Sequence, residues 1–468
     1  MKKAFTIFSM LILFSLVLSG QNVTIKGKIK GAEGKTLCVY AWSDQITYTE
    51  KKIATGKIDS VGVFNFSFKI DETIFAYLKV DFARAPIYLE PGKTYNLAVS
   101  CPDCNSPDDK TNPYLAPKTL AAVISNSDST ELNFLINKFN TLYDDFVMKD
   151  FATIVKHRSK AKLDTFKLEL SKQFSQVKND YFLNLVKYRL AVIEESAQLR
   201  SAESLAKRYF KNKPVLYENT GYMEFFNEFF KNYITDESNY ITLKDLHRTI
   251  DVVKTFPSLL DSLGKDTILK NEVLREMVVM KCLGELYYTK DYDKASILAM
   301  YKYVMENSKF PQHKIIAENY YNFFTKLAPG TTAPLFKLKD YNDVSYSLSE
   351  FNKDKYVYLF FWTKWCIPCI TEMDLLRKFI DKYGTKVEFV GISCDKDFLS
   401  YYYFMQNKKY DFTTLHWGNN TELIENYNVK AYPTYVLIGP DGKIVQYPAE
   451  APSGSLDALL NDLTKIKK

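Results

Sequence analysis

Trp365-Cys366-Ile367-Pro368-Cys369 places two thiols two residues apart. A pair spaced in this way suits thiol–disulfide exchange: one thiolate attacks a disulfide sulfur and the second resolves the mixed disulfide. Ahead of the pair, Tyr356–Trp362 is apolar and aromatic and reads as a buried strand. Behind it, Ile370, Met373, Leu376, Phe379, Ile380 and Tyr383 recur at helical spacing. The pattern predicts strand, tight turn and amphipathic helix, with the cysteines at the junction. A thiolate at a helix start faces unpaired backbone N–H groups and the positive end of the helix dipole, which lower its pKa. Cys366 is therefore read as the attacking sulfur and Cys369 as the resolving one. Pro368 fits the first turn, where its missing N–H would be unpaired anyway. Taken alone, the pair could also be a structural disulfide or half of a zinc site. Zinc needs about four ligands, and this end of the chain adds only Cys394 and His416 as soft donors.

The context strengthens the redox reading. Pro433 follows at a distance that fits a second strand, a helix and a third strand, and it opens the run Thr434–Ile438 before the turn Gly439-Pro440-Asp441-Gly442. A proline breaks the ladder where it opens a strand. A cis proline beside the cysteines gives it a purpose, turning the Tyr432 carbonyl toward a bound peptide. Together these residues resemble the TlpA/ResA-like group of thioredoxin-fold proteins over about residues 328–468. Trp365, Cys366, Pro368 and Cys369 match its active-site motif, Glu372 its acidic residue just after the motif, and Pro433-Thr434 its cis-proline pair. The segment 328–338 resembles its opening hairpin. The resemblance implies a C-terminal α/β thioredoxin fold and thiol–disulfide oxidoreductase activity. It implies catalytic roles for Cys366, Cys369 and Glu372, and substrate contacts from Trp365, Tyr432, Pro433 and Thr434. Glu372 has a plainer alternative as a first-turn acid that stabilises the helix. The chain departs from the pattern at Phe360, where thioredoxin has a buried aspartate, at Asp374, where the group often has proline, and at Lys364, a positive charge beside the motif.

The first residues set an expected compartment. Lys2 and Lys3 precede an apolar stretch over 5–18, with a plausible cut at Gly20-Gln21. That is the layout of a cleaved secretory signal peptide over residues 1–20, with a membrane anchor as the alternative. The expected location is the periplasm. The formal charge of +7 falls by the two lysines of that segment to 7 − 2 = +5. No long basic tract accompanies it, so nucleic acid is not an expected partner. The expected partners are proteins carrying disulfides or dithiols and a membrane electron donor. No metal and no cofactor is expected.

Two further parts are expected ahead of the redox segment and bring the chain to a multidomain fold. Residues 22–110 alternate with period two and are marked by turns at Gly31-Ala32-Glu33-Gly34, Asp59-Ser60-Val61-Gly62 and Pro91-Gly92. They read as a small antiparallel, sandwich-like β-domain. It resembles the β-domains found ahead of secreted thioredoxin-like domains in Bacteroidota, most closely at Ile87-Tyr88-Leu89-Glu90-Pro91-Gly92. Residues 111–326 switch to helical periodicity and read as an all-helical domain of about eight helices. Residues 327–468 form the thioredoxin-like domain, with a strand at Val387–Ser393, helices at 397–405 and 421–427, and a hairpin through 434–446. Cys101-Pro102-Asp103-Cys104 is a second pair, but it lies in loop-forming sequence and reads as a local disulfide. His157, His247 and His313 read as surface or capping residues, His416 as structural, Cys282 as an inert buried thiol, and Cys394 as buried.

Three rival functions were weighed. A peroxiredoxin-type peroxidase would need Pro-x-x-x-Thr-x-x-Cys; Thr363 fits that spacing, but Leu359 stands where the proline would be. An isomerase would benefit from a dimerising helix, which the sequence does not identify. The non-enzyme rival is a binding or scaffold protein that uses the thioredoxin fold only for docking.

Overall fold

The computed structural model describes residues 20–81, 83–100, 119–237, 241–418 and 420–465. The expected signal segment and the Cys101/Cys104 pair lie outside them. The chain divides into two compact units, one spanning residues 1–101 and 120–231, the other 102–119 and 232–468.

The first unit opens with eight strands: β1 Gln21–Lys30, β2 Thr36–Trp42, β3 Glu50–Lys57, β4 Val63–Ile70, β5 Ile74–Val80, β6 Ala83–Leu89, β7 Thr94–Ser100 and β8 Ala121–Ile124. They form two four-stranded sheets, ordered β4-β1-β7-β8 and β3-β2-β5-β6. The period-two pattern is realised directly: Leu37, Val39 and Ala41 on β2, and Ala76, Leu78 and Val80 on β5, are buried while their neighbours are not. The pairing is antiparallel except for β1 with β7, which runs parallel over Thr24–Lys30 against Thr94–Ser100. Sequence alternation is blind to this, because a parallel neighbour buries the same alternate residues. The glycines of the expected turns, Gly31, Gly34, Gly62 and Gly92, all have φ between 75° and 85°.

Helices α1 Leu132–His157, α2 Lys160–Gln173, α3 Asp180–Ser196, α4 Ala202–Tyr209 and α5 Thr220–Phe229 complete this unit. The apolar face of α1 (Leu132, Leu135, Ile136, Phe139, Tyr143) packs with Phe182 and Leu185 of α3 in one core. Asn133 of α1 ties the helices to the strands: its side chain accepts from Tyr88 N and donates to Tyr88 O.

The second unit begins with α6 Leu243–His247, α7 Phe256–Leu263, α8 Glu272–Leu286, α9 Lys294–Asn307 and α10 Pro311–Thr325, interrupted by π-helical turns at Tyr233–Glu237 and Arg248–Val253. Tyr233, four residues past the end of α5, lies in the first of these turns. His313 corrects a sequence expectation: it is fully buried, not at the surface. Its Nδ1 lies 2.9 Å from Glu276 Oε1, and the Ser308 hydroxyl donates to the same oxygen. A buried carboxylate needs such partners, and Glu276 of α8 obtains them from the end of α9 and the start of α10. His247 stacks on Tyr292, half-exposed, and His157 is exposed. Cys282 is buried, and burial pushes its thiol up to about 12.

The C-terminal part contains β9 Lys337–Asp340, β10 Ser345–Ser347, α11 Leu348–Phe351, β11 Tyr356–Trp362, α12 Ile367–Tyr383, β12 Val387–Ser393, α13 Phe398–Lys408, β13 Thr413–His416, α14 Thr421–Asn426, β14 Thr434–Ile438, β15 Ile444–Gln446 and α15 Leu456–Lys465. The seven strands form one sheet ordered β10-β9-β13-β12-β11-β14-β15. β11 is central, parallel to β12 and antiparallel to β14. Val357 to Trp362 are buried, as a strand covered on both faces requires. Strand β13 is absent from the sequence reading, because its four residues Thr413-Thr414-Leu415-His416 alternate too briefly to register. Asn420 caps α14 and Asp397 caps α13 through side-chain acceptors. Glycine is needed at Gly391 on β12: a Cβ there would fall 2.8 Å from the Phe360 ring.

Candidate active site

Strand β11 ends at Trp362 and α12 begins at Ile367, so Thr363-Lys364-Trp365-Cys366 form the turn between a buried strand and a helix. Cys366 N donates to Thr363 O at 3.1 Å, which closes the turn. Cys366 is the N-cap of α12, and its sulfur accepts from Cys369 N at 3.2 Å. Pro368 sits in the first turn. Cys366 and Cys369 form a disulfide with a Cα–Cα distance of 5.2 Å. The two sulfurs are not equally accessible: Cys366 is 5% exposed and Cys369 1%.

The neighbouring side chains come from four segments. Trp365 (43% exposed) and Ile367 (78% exposed) flank Cys366 at the surface. The Trp365 ring meets the Tyr432 ring edge-on at 5.9 Å. The Tyr432–Pro433 peptide is cis. Thr434 turns its hydroxyl back onto Ala431 O at 2.6 Å. The Tyr432 hydroxyl bonds the sulfur of Cys394, which is fully buried; burial holds that thiol far above the usual cysteine range. This contact was not legible in sequence, since Cys394 and Tyr432 share no motif.

Lys364 is held away from a purely solvent position. Its backbone N–H donates to both carboxylate oxygens of Asp395, at 3.2 and 3.0 Å, and its ammonium group reaches the Ser400 hydroxyl on α13. Asp395 also accepts from the Ser393 hydroxyl at 2.9 Å. Burial raises its pKa above the ordinary aspartate value, partly opposed by these donors. His416 is structural: its Nε2 lies 2.6 Å from Asp395 O, and burial lowers its pKa. Phe360, where thioredoxin has its acid, packs edge-on against Phe412 at 5.5 Å.

Glu372 lies in the second turn of α12, three residues beyond Cys369 and on the same face. The alternative of a first-turn acid is thereby corrected, since the first turn holds no acidic residue. Both carboxylate oxygens are taken by one residue: Ser453 N donates at 2.9 Å and the Ser453 hydroxyl at 2.5 Å. Tyr358 and Tyr435 both feel the Glu372 charge. Among the described residues, no cluster of three or more His, Cys, Asp or Glu side chains is arranged to hold a metal ion.

A mixed sheet of this order, with a cysteine pair at the start of the helix that follows its central strand, defines a thioredoxin-fold thiol–disulfide oxidoreductase. The AhpC/TSA family model matches residues 329–447. The thiol-disulfide oxidoreductase ResA of Bacillus thuringiensis subsp. konkukian (strain 97-27) is 34% identical over 132 residues, which is 27% of this chain and 75% of that protein. ResA of Bacillus subtilis (strain 168) is 30% identical over 121 residues, 26% of this chain and 66% of that protein. The crystal structure of the thioredoxin domain of a thiol-disulfide oxidoreductase from Bacteroides vulgatus is 26% identical, with 30% of this chain and 99% of that chain covered and a TM-score of 0.27. Through its C-terminal region the chain belongs to the ResA-type thiol–disulfide oxidoreductases.

Proposed function

We propose that this oxidoreductase works in the periplasm, reducing disulfides of protein substrates through Cys366 and Cys369, with electrons supplied by a membrane donor. The observation that carries the reading is the position of Cys366. It caps a helix, its sulfur faces a backbone N–H, and its partner Cys369 lies within disulfide reach but deeper.

In the reduced protein the Cys366 thiolate attacks one sulfur of a substrate disulfide. The S–S bond breaks, the first substrate sulfur leaves as a thiolate and takes up a proton, and a mixed disulfide forms. Cys369 loses its proton and attacks Cys366 Sγ, releasing the second substrate sulfur as a thiolate that is protonated in turn. The substrate disulfide gains two electrons and two protons, and the cysteine pair is left as a disulfide. A reduced dithiol donor resets the pair: one donor thiolate attacks Cys366 Sγ and releases Cys369, and its second thiol then attacks the mixed disulfide, releasing Cys366 and leaving the donor as a disulfide. Glu372, on the Cys369 face of α12, accepts or steers the Cys369 proton. Trp365, Tyr432, Pro433 and Thr434 shape the groove, the Tyr432 backbone offering a hydrogen bond to an extended substrate segment. The charged-then-apolar start of the sequence supports export. No helix among the described residues is long and apolar enough to cross a membrane. An oxidising compartment does not maintain free thiols, so a reductant must reach the site from a membrane partner.

A redox titration of the Cys366–Cys369 pair tests the direction. A potential near about −250 mV or lower is expected, whereas one near about −120 mV, that of a strong thiol oxidant, would refute the reductive reading.

A further inference from the structure

Tyr435 lies on β14, two residues beyond Pro433, opposite Phe360 of β11. It is 93% buried by the complement of its 7% exposure, and its hydroxyl has no hydrogen-bond partner among the described residues. A buried phenol is ordinarily paired, so an orphaned one beside a reactive centre calls for a partner that arrives in another state. The charged groups around it narrow the choice. Burial, and after it the charge of Glu372 on α12, raises the Tyr435 pKa. The neighbouring phenol Tyr358 stacks on it at 5.6 Å, but its hydroxyl is already committed to Glu450 O at 2.7 Å, and it feels the charges of both Glu372 and Glu450. Glu372 itself is clamped through both oxygens by Ser453 while the cysteines are in the disulfide.

We infer that Tyr435 is a positioning residue: its hydroxyl is a second, inner seat for the Glu372 carboxylate, taken when the cysteine pair is reduced, with Ser453 as the outer seat of the disulfide state. This rests on the reading of Cys366, Cys369 and Glu372 as the redox site. Ser453, which holds Glu372, lies three residues beyond Glu450, whose carbonyl holds the Tyr358 phenol stacked on Tyr435. Glu372 and Cys369 share a helix face one turn apart, and both phenols face that side of the sheet. The carboxylate loses two neutral donors on leaving Ser453 and gains one from Tyr435, so the two seats are comparable and a change at the sulfurs can tip the balance. In the inner seat the negative charge stands nearer Cys369 and holds that thiol protonated until the resolving step.

The test uses the full-length reduced protein, alkylated with iodoacetamide across the range from about pH 5 to about pH 10, each cysteine being read separately by mass spectrometry. Glu372→Gln lowers the Cys369 midpoint by removing the charge. Tyr435→Phe, which deletes one oxygen, is expected to lower it in the same direction by about half a unit, roughly a threefold change in thiolate fraction. In the Glu372→Gln background the same substitution is expected to do nothing further. Ser453→Ala removes the outer seat and is expected to leave the reduced-state midpoint unchanged or raise it. A Tyr435→Phe profile superimposable on the wild type overturns the inference, as does a shift that persists without Glu372. Reduction of a protein disulfide by the wild type is measured in parallel: its absence would defeat the functional reading, whereas normal reduction with no Tyr435→Phe shift defeats the inner seat alone.

Discussion

The two cysteines divide their work by depth. Cys366 at the helix start is the more exposed sulfur and Cys369 lies behind it. Cys369→Ser should therefore leave attack intact but block resolution, so a substrate protein accumulates as a covalent adduct on Cys366, visible as a band that disappears on reduction. Cys366→Ser should bring disulfide reduction down to the buffer rate and trap nothing. An adduct formed equally well through Cys369 would reverse the assignment. A second expectation concerns Cys394. It is fully buried and its thiol is held far above the usual range, so in the native reduced protein it should be alkylated last, well after Cys366. Legibility at this scale follows local pattern. The motif cysteines were readable because their chemistry depends on neighbours in sequence. His313 was misread because a lone histidine in a helical run carries no mark of the carboxylate, 37 residues away, that pairs with it in the interior.

At the scale of elements, polar groups decide where helices and strands join. Glu276 links α8 to the end of α9 and the start of α10 through Ser308 and His313, all three being buried. Glu276→Ala would take the shared buried acceptor from both partners, and a loss of about 2–4 kcal/mol in unfolding free energy is expected by chemical denaturation. Loss of less than about half a kcal/mol would mean that the knot is not structural. Glu218 gives a pH signature in the first unit. Burial raises its pKa to about 7, with Glu72 and Asp44 adding to the effect and Lys51 opposing it. The folded state then holds a proton that the unfolded chain releases near the ordinary glutamate value of 4.5. Its contribution is therefore present below about pH 4.5 and is lost as pH rises toward about 7. Stability should fall across that window with a slope of at most about 1.4 kcal/mol per pH unit from this group, and Glu218→Gln should flatten it. An unchanged slope in that variant would reject Glu218 as the source. The elements themselves were largely foreseeable where apolar periodicity ran long, as in α1 and β11. The short β13 and the parallel β1–β7 pair were not, because neither leaves a distinct alternation.

Across the whole molecule, redox chemistry occupies a minority of the chain. The ResA relatives align with only about a quarter of it, 27% and 26% in the two cases above, and every side chain placed at the site lies between Tyr358 and Ser453. The seven-stranded sheet is built wholly from residues 337–446, from β9 to β15, with α12 and α15 joined by Tyr383 and Lys382 to Asp457. Where this region meets α10, Lys326 reaches Glu425 O at 3.0 Å and Lys430 lies over the Phe323 ring at 5.9 Å. Two charged surface contacts of this kind contribute little to stability. A fragment comprising residues 327–468 is therefore expected to fold alone and to reduce a small-molecule disulfide within about twofold of the full-length rate. The comparison is to be made with circular dichroism for the fold and a dithiol-coupled assay for the rate. If the fragment is unfolded, the boundary at residue 327 is wrong and α10 belongs to the redox domain. If it is active on a small disulfide but slower than the full chain on protein disulfides, the β-strands and helices ahead of it select or hold the substrate.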